Sequence, residues 1–195
     1  MMKIKISLPA DEAGIRKLKT GDIVYLNGIF YTLRDEGHIR ALKNKKPPVD
    51  FKGSAIFHCG PIMRKTKKGW RVVAAGPTTS ARMNSLEPGF IEIFRPGFII
   101  GKGGMNKKTR NMMKKHGCVY LSMTGGAAAL GAKGIKKVHD VYWYGLGMPE
   151  ALWVLEAKNF GPLIVSMDSN GSSLYENVEK NVEKTVVKVR KRLGL

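Results

Sequence analysis

The sequence predicts an α/β fold with mixed sheet layers and flanking helices, and three observations carry that prediction. Short apolar runs alternate with stretches of helical periodicity along the whole chain. Hydrophobic residues make up 43% of the 195 positions, enough to bury a sizeable core. No internal repeat, low-complexity stretch or shift in composition divides the chain, so residues 1–195 are expected to form a single domain.

Lys3 to Leu8 alternates polar and apolar residues, as an edge strand does. Pro9-Ala10-Asp11-Glu12 opens a short helix reaching about Lys19, with acids in the first turn where the helix dipole favours them. Thr20-Gly21-Asp22 is a turn, and Ile23 to Thr32 reads as one strand or as a hairpin bent at Asn27-Gly28. Arg34 to Lys43 is predicted helical, and Lys45-Lys46-Pro47-Pro48 ends it in a loop. Ser54 to Cys59 and Trp70 to Ala75 are strand-like, joined by a Lys-rich, hairpin-like connection that ends at Gly69. Gly76-Pro77 is expected to start a helix, because proline is favoured at the first helical position. Gly97 to Gly101 is a strand, Met105 to His116 the helix after it, and Cys118 to Ser122 the next strand. Gly125 to Lys133 is a helix of small residues; His139 to Tyr144, Ala151 to Glu156 and Leu163 to Met167 are further strands. Leu174 to Leu193 closes the chain as a long amphipathic helix.

Lys and Arg number 34 against 15 Asp and Glu, a net charge of +19. Such a surface suits nucleic acid, through release of phosphate counterions, and suits small anionic substrates equally well. The basic clusters are spread out and carry no interleaved aromatics, so a stacking platform for single strands is not expected. No apolar run approaches the length of a membrane span, and the N-terminus lacks the apolar core of a signal peptide. Cys59 and Cys118 are too few for a disulfide scaffold and lack CxxC spacing or local His partners, so no metal site is expected on this chain. A cytoplasmic protein is expected.

Four segments carry candidate chemistry. In Gly76-Pro77-Thr78-Thr79-Ser80-Ala81-Arg82, a helix start would expose backbone N–H groups and put Thr78 and Arg82 on one face, where they could hold a carboxylate. The alternative is an N-cap with a surface arginine. Ile99-Ile100-Gly101-Lys102-Gly103-Gly104 has glycines that let backbone approach a ligand and aim Lys102 at it. It lacks the P-loop pattern, and it resembles the GXXG loop of a KH RNA-binding domain, or else is a tight strand-to-helix turn. In Arg34-Asp35-Glu36-Gly37-His38, Arg34 could fork onto a carboxylate and His38 could transfer a proton, or both could simply decorate a helix surface. Thr124-Gly125-Gly126-Ala127-Ala128-Ala129 could bind an anion or allow close packing.

In order, Gly21-Asp22-Ile23-Val24-Tyr25-Leu26, Arg34-Asp35 with His38, His58-Cys59-Gly60-Pro61, Gly76-Pro77-Thr78-Thr79-Ser80 with Arg82-Met83, and Gly101-Lys102-Gly103-Gly104 resemble the β subunit of two-subunit class I fumarate hydratases. The tartrate dehydratase β subunit is a close relative of that family. Gly147-Met148-Pro149-Glu150-Ala151-Leu152-Trp153 and Phe160-Gly161-Pro162-Leu163-Ile164-Val165 extend the resemblance over nearly the whole chain.

The resemblance implies a swivelling β/β/α domain and the reversible hydration of fumarate to (S)-malate, with L(+)-tartrate dehydration as the alternative. It implies a partner α subunit carrying a four-iron four-sulfur cluster, no cofactor on this chain, and a hetero-oligomer acting on a small dicarboxylate, with no membrane or nucleic acid. It implies Thr78 as the base for the carbon-bound proton, His38 as a further catalytic group, and Arg34, Arg82 and Lys102 as ligands of substrate carboxylates. Backbone at Gly76, Gly101 and Gly103 is expected to help bind the anion.

Overall fold

The computed structural model describes residues 3–193. The chain runs β1 (Lys3–Leu8), α1 (Glu12–Arg16), β2 (Ile23–Thr32), α2 (Asp35–Asn44), β3 (Ala55–Phe57), β4 (Ile62–Thr66), β5 (Gly69–Ala74), α3 (Glu87–Phe94) and β6 (Phe98–Gly101). It continues through α4 (Lys107–His116), β7 (Val119–Ser122), α5 (Ala128–Gly134), β8 (Ile135–Tyr142), β9 (Leu152–Met167) and α6 (Leu174–Leu193). The mixed α/β class is as expected.

Seven strands form one sheet in the order β1-β2-β3-β6-β7-β9-β8, and β9 pairs with β2 as well, closing β2, β3, β6, β7 and β9 into a ring. β1, β2, β3, β6 and β7 are mutually parallel, and β9 runs antiparallel to its neighbours. The central parallel strands are buried on both faces, which is why Ala55-Ile56-Phe57 and Phe98-Ile99-Ile100 are unbroken apolar runs. Alternate side chains feed two cores. Phe30, Phe57, Phe98, Ile100, Leu121 and Trp153 pack in one. Ile56, Ile99 and Tyr120 face the other, with Phe90 of α3 and Met113 of α4.

Helix ends follow local chemistry. The Asp11 carboxylate accepts from Gly14 N–H at 2.7 Å, and Asn106 accepts from Thr109 N–H at 2.9 Å, each supplying a missing N-terminal partner. Gly117 ends α4 at φ 67°, where a side chain would strain the backbone.

One open choice is decided and three expectations change. Ile23–Thr32 is one continuous strand rather than a hairpin, since Gly28 is absorbed by pairing with Leu8 on one side and Ala157 on the other. Ser54 to Cys59 does not pair with Trp70 to Ala75. The Lys-rich segment supplies β4, which pairs with β5 in a separate two-stranded sheet. Ala151 to Glu156 and Leu163 to Met167 are two ends of the single strand β9. No regular helix starts at Gly76-Pro77. A 3-10 turn covers Ser80–Met83, and the helix of this region is α3.

Among the described residues, the root of α6 is held to the body by hydrogen bonds. Tyr175 OH lies 2.6 Å from Ser122 Oγ, and Arg110 donates to Glu176 at 2.9 Å. Farther out, Val178, Val182, Val186, Val189 and Leu193 are exposed.

Candidate functional site

Because β2, β3, β6 and β7 are parallel, the segments after them emerge along one edge of the sheet: Arg34, His58 to Gly60, Lys102 to Gly104, and Thr124 to Gly126. Ligands of parallel α/β sheets bind at this carboxyl edge. Thr78 reaches the edge differently. Residues 75–78 form no regular element, Thr79 is extended, and Thr78 N–H donates to His58 O at 2.7 Å. Lys102 N–H donates to Thr78 O at 3.3 Å, and Ser80 N–H to Lys102 O at 3.0 Å. Thr79 and Lys102 therefore form a parallel bridge. These bonds use the N–H groups that a helix at Gly76-Pro77 would have left free, so the expected helix-start anion receptor is replaced by a strand-like wedge. Thr78 and Arg82 do not share a helix face. What joins Thr78 to Lys102 is the backbone.

The glycines divide accordingly. A Cβ on Gly101 would stand 1.9 Å from Ser80 Oγ and 2.9 Å from Tyr120 OH, and one on Gly76 would stand 2.9 Å from Ala128 Cβ. Both positions are too closely packed to admit a side chain. Gly103, exposed at φ 82°, keeps the loop turn open. Gly101→Ala is accordingly expected to destabilise the fold by about 1–3 kcal/mol through overpacking, read from chemical denaturation.

Arg34 and Arg82 meet at one acid. Arg82 Nη2 donates to Asp35 Oδ2 at 2.8 Å, and Arg34 Nη2 lies 4.0 Å from the same oxygen. Arg34 Nε stands 3.2 Å from Glu150 Oε1, whose other oxygen accepts from Glu36 N–H at 3.1 Å. The loop presenting Glu150 is pinned by the Trp153 indole, which donates to Met148 O at 2.9 Å. Arg34 is largely covered, with its Nη1 closing on Gly60, where a Cβ would come within 2.7 Å. Arg82 and Lys102 are exposed and Thr78 is half-buried. The Lys102 side chain lies along Gly125, where an added Cβ would be 3.8 Å from Nζ, so the Thr124-Gly125-Gly126 segment serves as its close-packed neighbour. The edge thus gathers three cations and one hydroxyl, with Asp35 and Glu150 aiming the arginines. Sequence reasoning assigned those two acids no role of their own, although both lie in the motifs that carry the resemblance.

His38 is placed differently from the open site the sequence suggested. It is wholly buried, as are His58 and Glu87. His38 Nδ1 donates to Arg34 O at 2.8 Å, and its Nε2 lies 3.2 Å from Glu87 Oε2, within ion-pair distance. His58 Nε2 is 3.0 Å from the same oxygen, and its Nδ1 is 2.9 Å from Ser80 Oγ. Tyr120 OH donates to Ser80 Oγ at 2.8 Å. Burial raises the Glu87 pKa, but the charges and hydrogen bonds of the two histidines outweigh it and pull it to about 2. Burial opposes charge on His38, yet the Glu87 carboxylate and the Arg34 carbonyl hold its pKa above the ordinary value. Burial keeps His58 neutral, with Glu87 offsetting this only in part. The three groups therefore push His38 toward its charged form beside the Glu87 carboxylate and His58 toward its neutral form. Nothing local to Glu87 or His58 in the sequence marks either for this role.

The two cysteines do not suit an iron–sulfur cluster. Both are free and buried; burial lifts the Cys59 thiol to about 12 and Cys118 well above the thiol range, whereas cluster ligands are thiolates. Neither joins His38, His58 and Glu87, the one group of potential metal ligands among the described residues.

The Fumarase C-terminus family model matches residues 1–178. A Methanocaldococcus jannaschii protein, provisionally named L(+)-tartrate dehydratase subunit beta, is 52% identical over 173 residues, 86% of this chain and 89% of its own. The L(+)-tartrate dehydratase subunit beta of Escherichia coli is 41% identical over 180 residues, 92% of this chain and 90% of its own. A Geobacillus stearothermophilus protein, provisionally named fumarate hydratase class I, is 45% identical over 91% of this chain, which spans 34% of that longer protein. No helix of the described residues is long and apolar enough to cross a membrane.

Proposed function

The chain belongs to the Fumarase C-terminus family, and from that premise we propose that it is the β subunit of a two-subunit iron–sulfur hydro-lyase that hydrates fumarate reversibly to (S)-malate. L(+)-tartrate dehydration is the second reading, favoured by the names of relatives that this chain covers to about nine-tenths of their length. Residues 1–195 act as one swivelling β/β/α domain in the cytoplasm. The cluster sits on the partner α subunit, in keeping with the unsuitable thiols here, and supplies Lewis acidity toward the substrate hydroxyl when bound there. The family assignment displaces the RNA-binding reading, which used Lys102 alone.

The observation that carries this reading is the convergence of Arg34, Arg82, Lys102 and Thr78 on one sheet edge. A dicarboxylate needs cations at both ends, and removal of a proton beside a carboxylate loads further negative charge onto that carboxylate. Arg34, fixed by Glu150 and Asp35, binds one carboxylate through a planar fork. Arg82 and Lys102, being exposed, complete the cationic surface when the partner closes over it. Thr78 takes the carbon-bound proton. A threonine hydroxyl is a poor base, and the surrounding cations stabilise its alkoxide. His38 acts from beneath, through Arg34 O, on the segment that carries Arg34. The open edge and the exposed apolar residues of α6 suit a chain whose site is completed by another subunit.

The test is anaerobic turnover of fumarate and of L(+)-tartrate by this chain alone, and by the chain mixed with a cluster-loaded α subunit. Turnover is expected only in the mixture. Turnover of tartrate without fumarate would move the assignment to the second reading. A formed, cluster-bearing complex inactive on both would overturn it.

A further inference from the structure

We infer that the buried Glu87 and His58 are positioning residues, which hold the Thr78–Lys102 pair in register through Ser80. The inference rests on the proposed hydro-lyase site and deepens it.

Two connections from His58 meet the same short segment. Its carbonyl accepts from Thr78 N–H at 2.7 Å, and its ring nitrogen lies 2.9 Å from Ser80 Oγ. Thr78 and Ser80 are in turn the two residues whose backbone brackets Lys102, at 3.3 and 3.0 Å. The His58 ring therefore fixes the Ser80 side of the bridge that places the proposed base beside the proposed carboxylate ligand, and the His58 carbonyl fixes the Thr78 side. The ring is itself fixed by Glu87, at 3.0 Å from its other nitrogen. Glu87 pairs at the same time with His38, whose opposite nitrogen holds Arg34 O. One carboxylate thus ties together the segments bearing Arg34, Thr78 and Lys102.

The protons balance along this chain of contacts. The Tyr120 hydroxyl donates to Ser80 Oγ, the Ser80 hydroxyl donates to His58 Nδ1, and His58 Nε2–H donates to Glu87. Each donor in the chain has one acceptor, which leaves the Ser80 rotor a single orientation. Gly101 supplies the room, since any side chain there would displace the Ser80 hydroxyl. None of these groups reaches solvent: His58, Ser80, Glu87 and Tyr120 are all fully buried, so they act on substrate only through the residues they hold.

Ser80→Ala and Tyr120→Phe cut this chain without removing a buried charge. Both are compared with the unmodified chain in complex with the cluster-bearing α subunit, by amide hydrogen exchange and by steady-state kinetics. In Ser80→Ala, exchange at the Ser80 and Lys102 amides is expected to speed up about tenfold or more. There kcat should fall about 10–100-fold with KM changed less than about threefold, as expected of reacting groups displaced by about an ångström. Tyr120→Phe should move both readouts the same way by less. Adding Glu87→Gln to Ser80→Ala should cost less than the separate effects multiplied together, because both break one connection.

Unchanged exchange at Ser80 and Lys102 in a folded Ser80→Ala complex would overturn the inference. So would a kcat loss matched by loss of folded protein, or full multiplicativity with Glu87→Gln. A stoichiometric divalent metal in the purified chain, lost together with Glu87, would overturn it as well, by making the three residues a metal site. Accelerated exchange in a complex whose unmodified form turns over neither dicarboxylate would support the positioning role and overturn the hydro-lyase reading.

Discussion

Thr78→Ala is expected to lower kcat of the assembled enzyme about a thousandfold, within the range ascribed to a positioned acid or base, while Thr78→Ser keeps most of the activity. The substitution is a clean probe because Thr78 is held by its backbone. Its N–H and carbonyl make the bonds to His58 and Lys102, and neither depends on the side chain. Its side chain is half-buried at the sheet edge, so the loss of a hydroxyl and a methyl should leave stability within about 1 kcal/mol. A catalytic loss with intact binding of substrate, read from isotope exchange at the carbon-bound proton, would assign the hydroxyl to proton transfer. A loss of less than about tenfold would instead leave the proton to a group on the partner subunit.

Much of the fold was legible because the local signals and the tertiary contacts agree. Asp11 and Asn106 cap α1 and α4 as their side chains predict, and Gly117 ends α4. The apolar runs at Phe98–Gly101 and Val119–Ser122 are strands buried between two cores. The failures share a cause: pairing partners distant in sequence decided the outcome. Gly76-Pro77 has the composition of a helix start, but the His58 carbonyl takes the Thr78 N–H, and no regular helix forms there. Asn159 and Gly161 look like a break between strands, and both have positive φ. Yet β2 pairs with residues on both sides of them, so β9 continues through the irregularity. The helix α3 carried its own signal, Glu87-Pro88 in a first turn, which the expected helix upstream obscured.

At the site, the cations were legible and their holders were not. Arg34, Arg82 and Lys102 stand out through motifs whose glycines and neighbours are close in sequence. Asp35 and Glu150 are separated by more than a hundred residues and meet only through Arg34. In a chain with 34 bases and 15 acids, each buried acid is a candidate for such a role. Glu87 illustrates this most strongly, since a carboxylate is rarely buried fully unless it is paired.

Glu87→Gln is therefore expected to cost about 3–5 kcal/mol of stability near pH 6.5, the penalty for breaking a buried ion pair, and the cost should shrink in alkali. The direction follows from the three coupled groups. Glu87 titrates at about 2 in the fold against an ordinary 4.5, so its contribution is complete above 4.5 and disappears as pH falls toward 2. His38 has a raised pKa, so its contribution is complete below 6.5 and is lost as pH rises through its folded value. His58 has a lowered pKa, so protonation of the unfolded chain subtracts stability as pH falls below 6.5. Arg34, Asp35, Tyr120 and Cys118 surround the cluster, and the thiol and phenol stay protonated throughout because burial raises both. The unmodified chain should accordingly be most stable near neutrality, with an alkaline decline owed to His38. The amide of Glu87→Gln gives His38 no reason to hold a second proton, so that decline should vanish in the variant. Urea denaturation at pH 6.5 and at about pH 9 checks this. An unchanged difference between the two proteins at both values would mean that His38 is neutral beside Glu87, and that the alkaline decline has another origin.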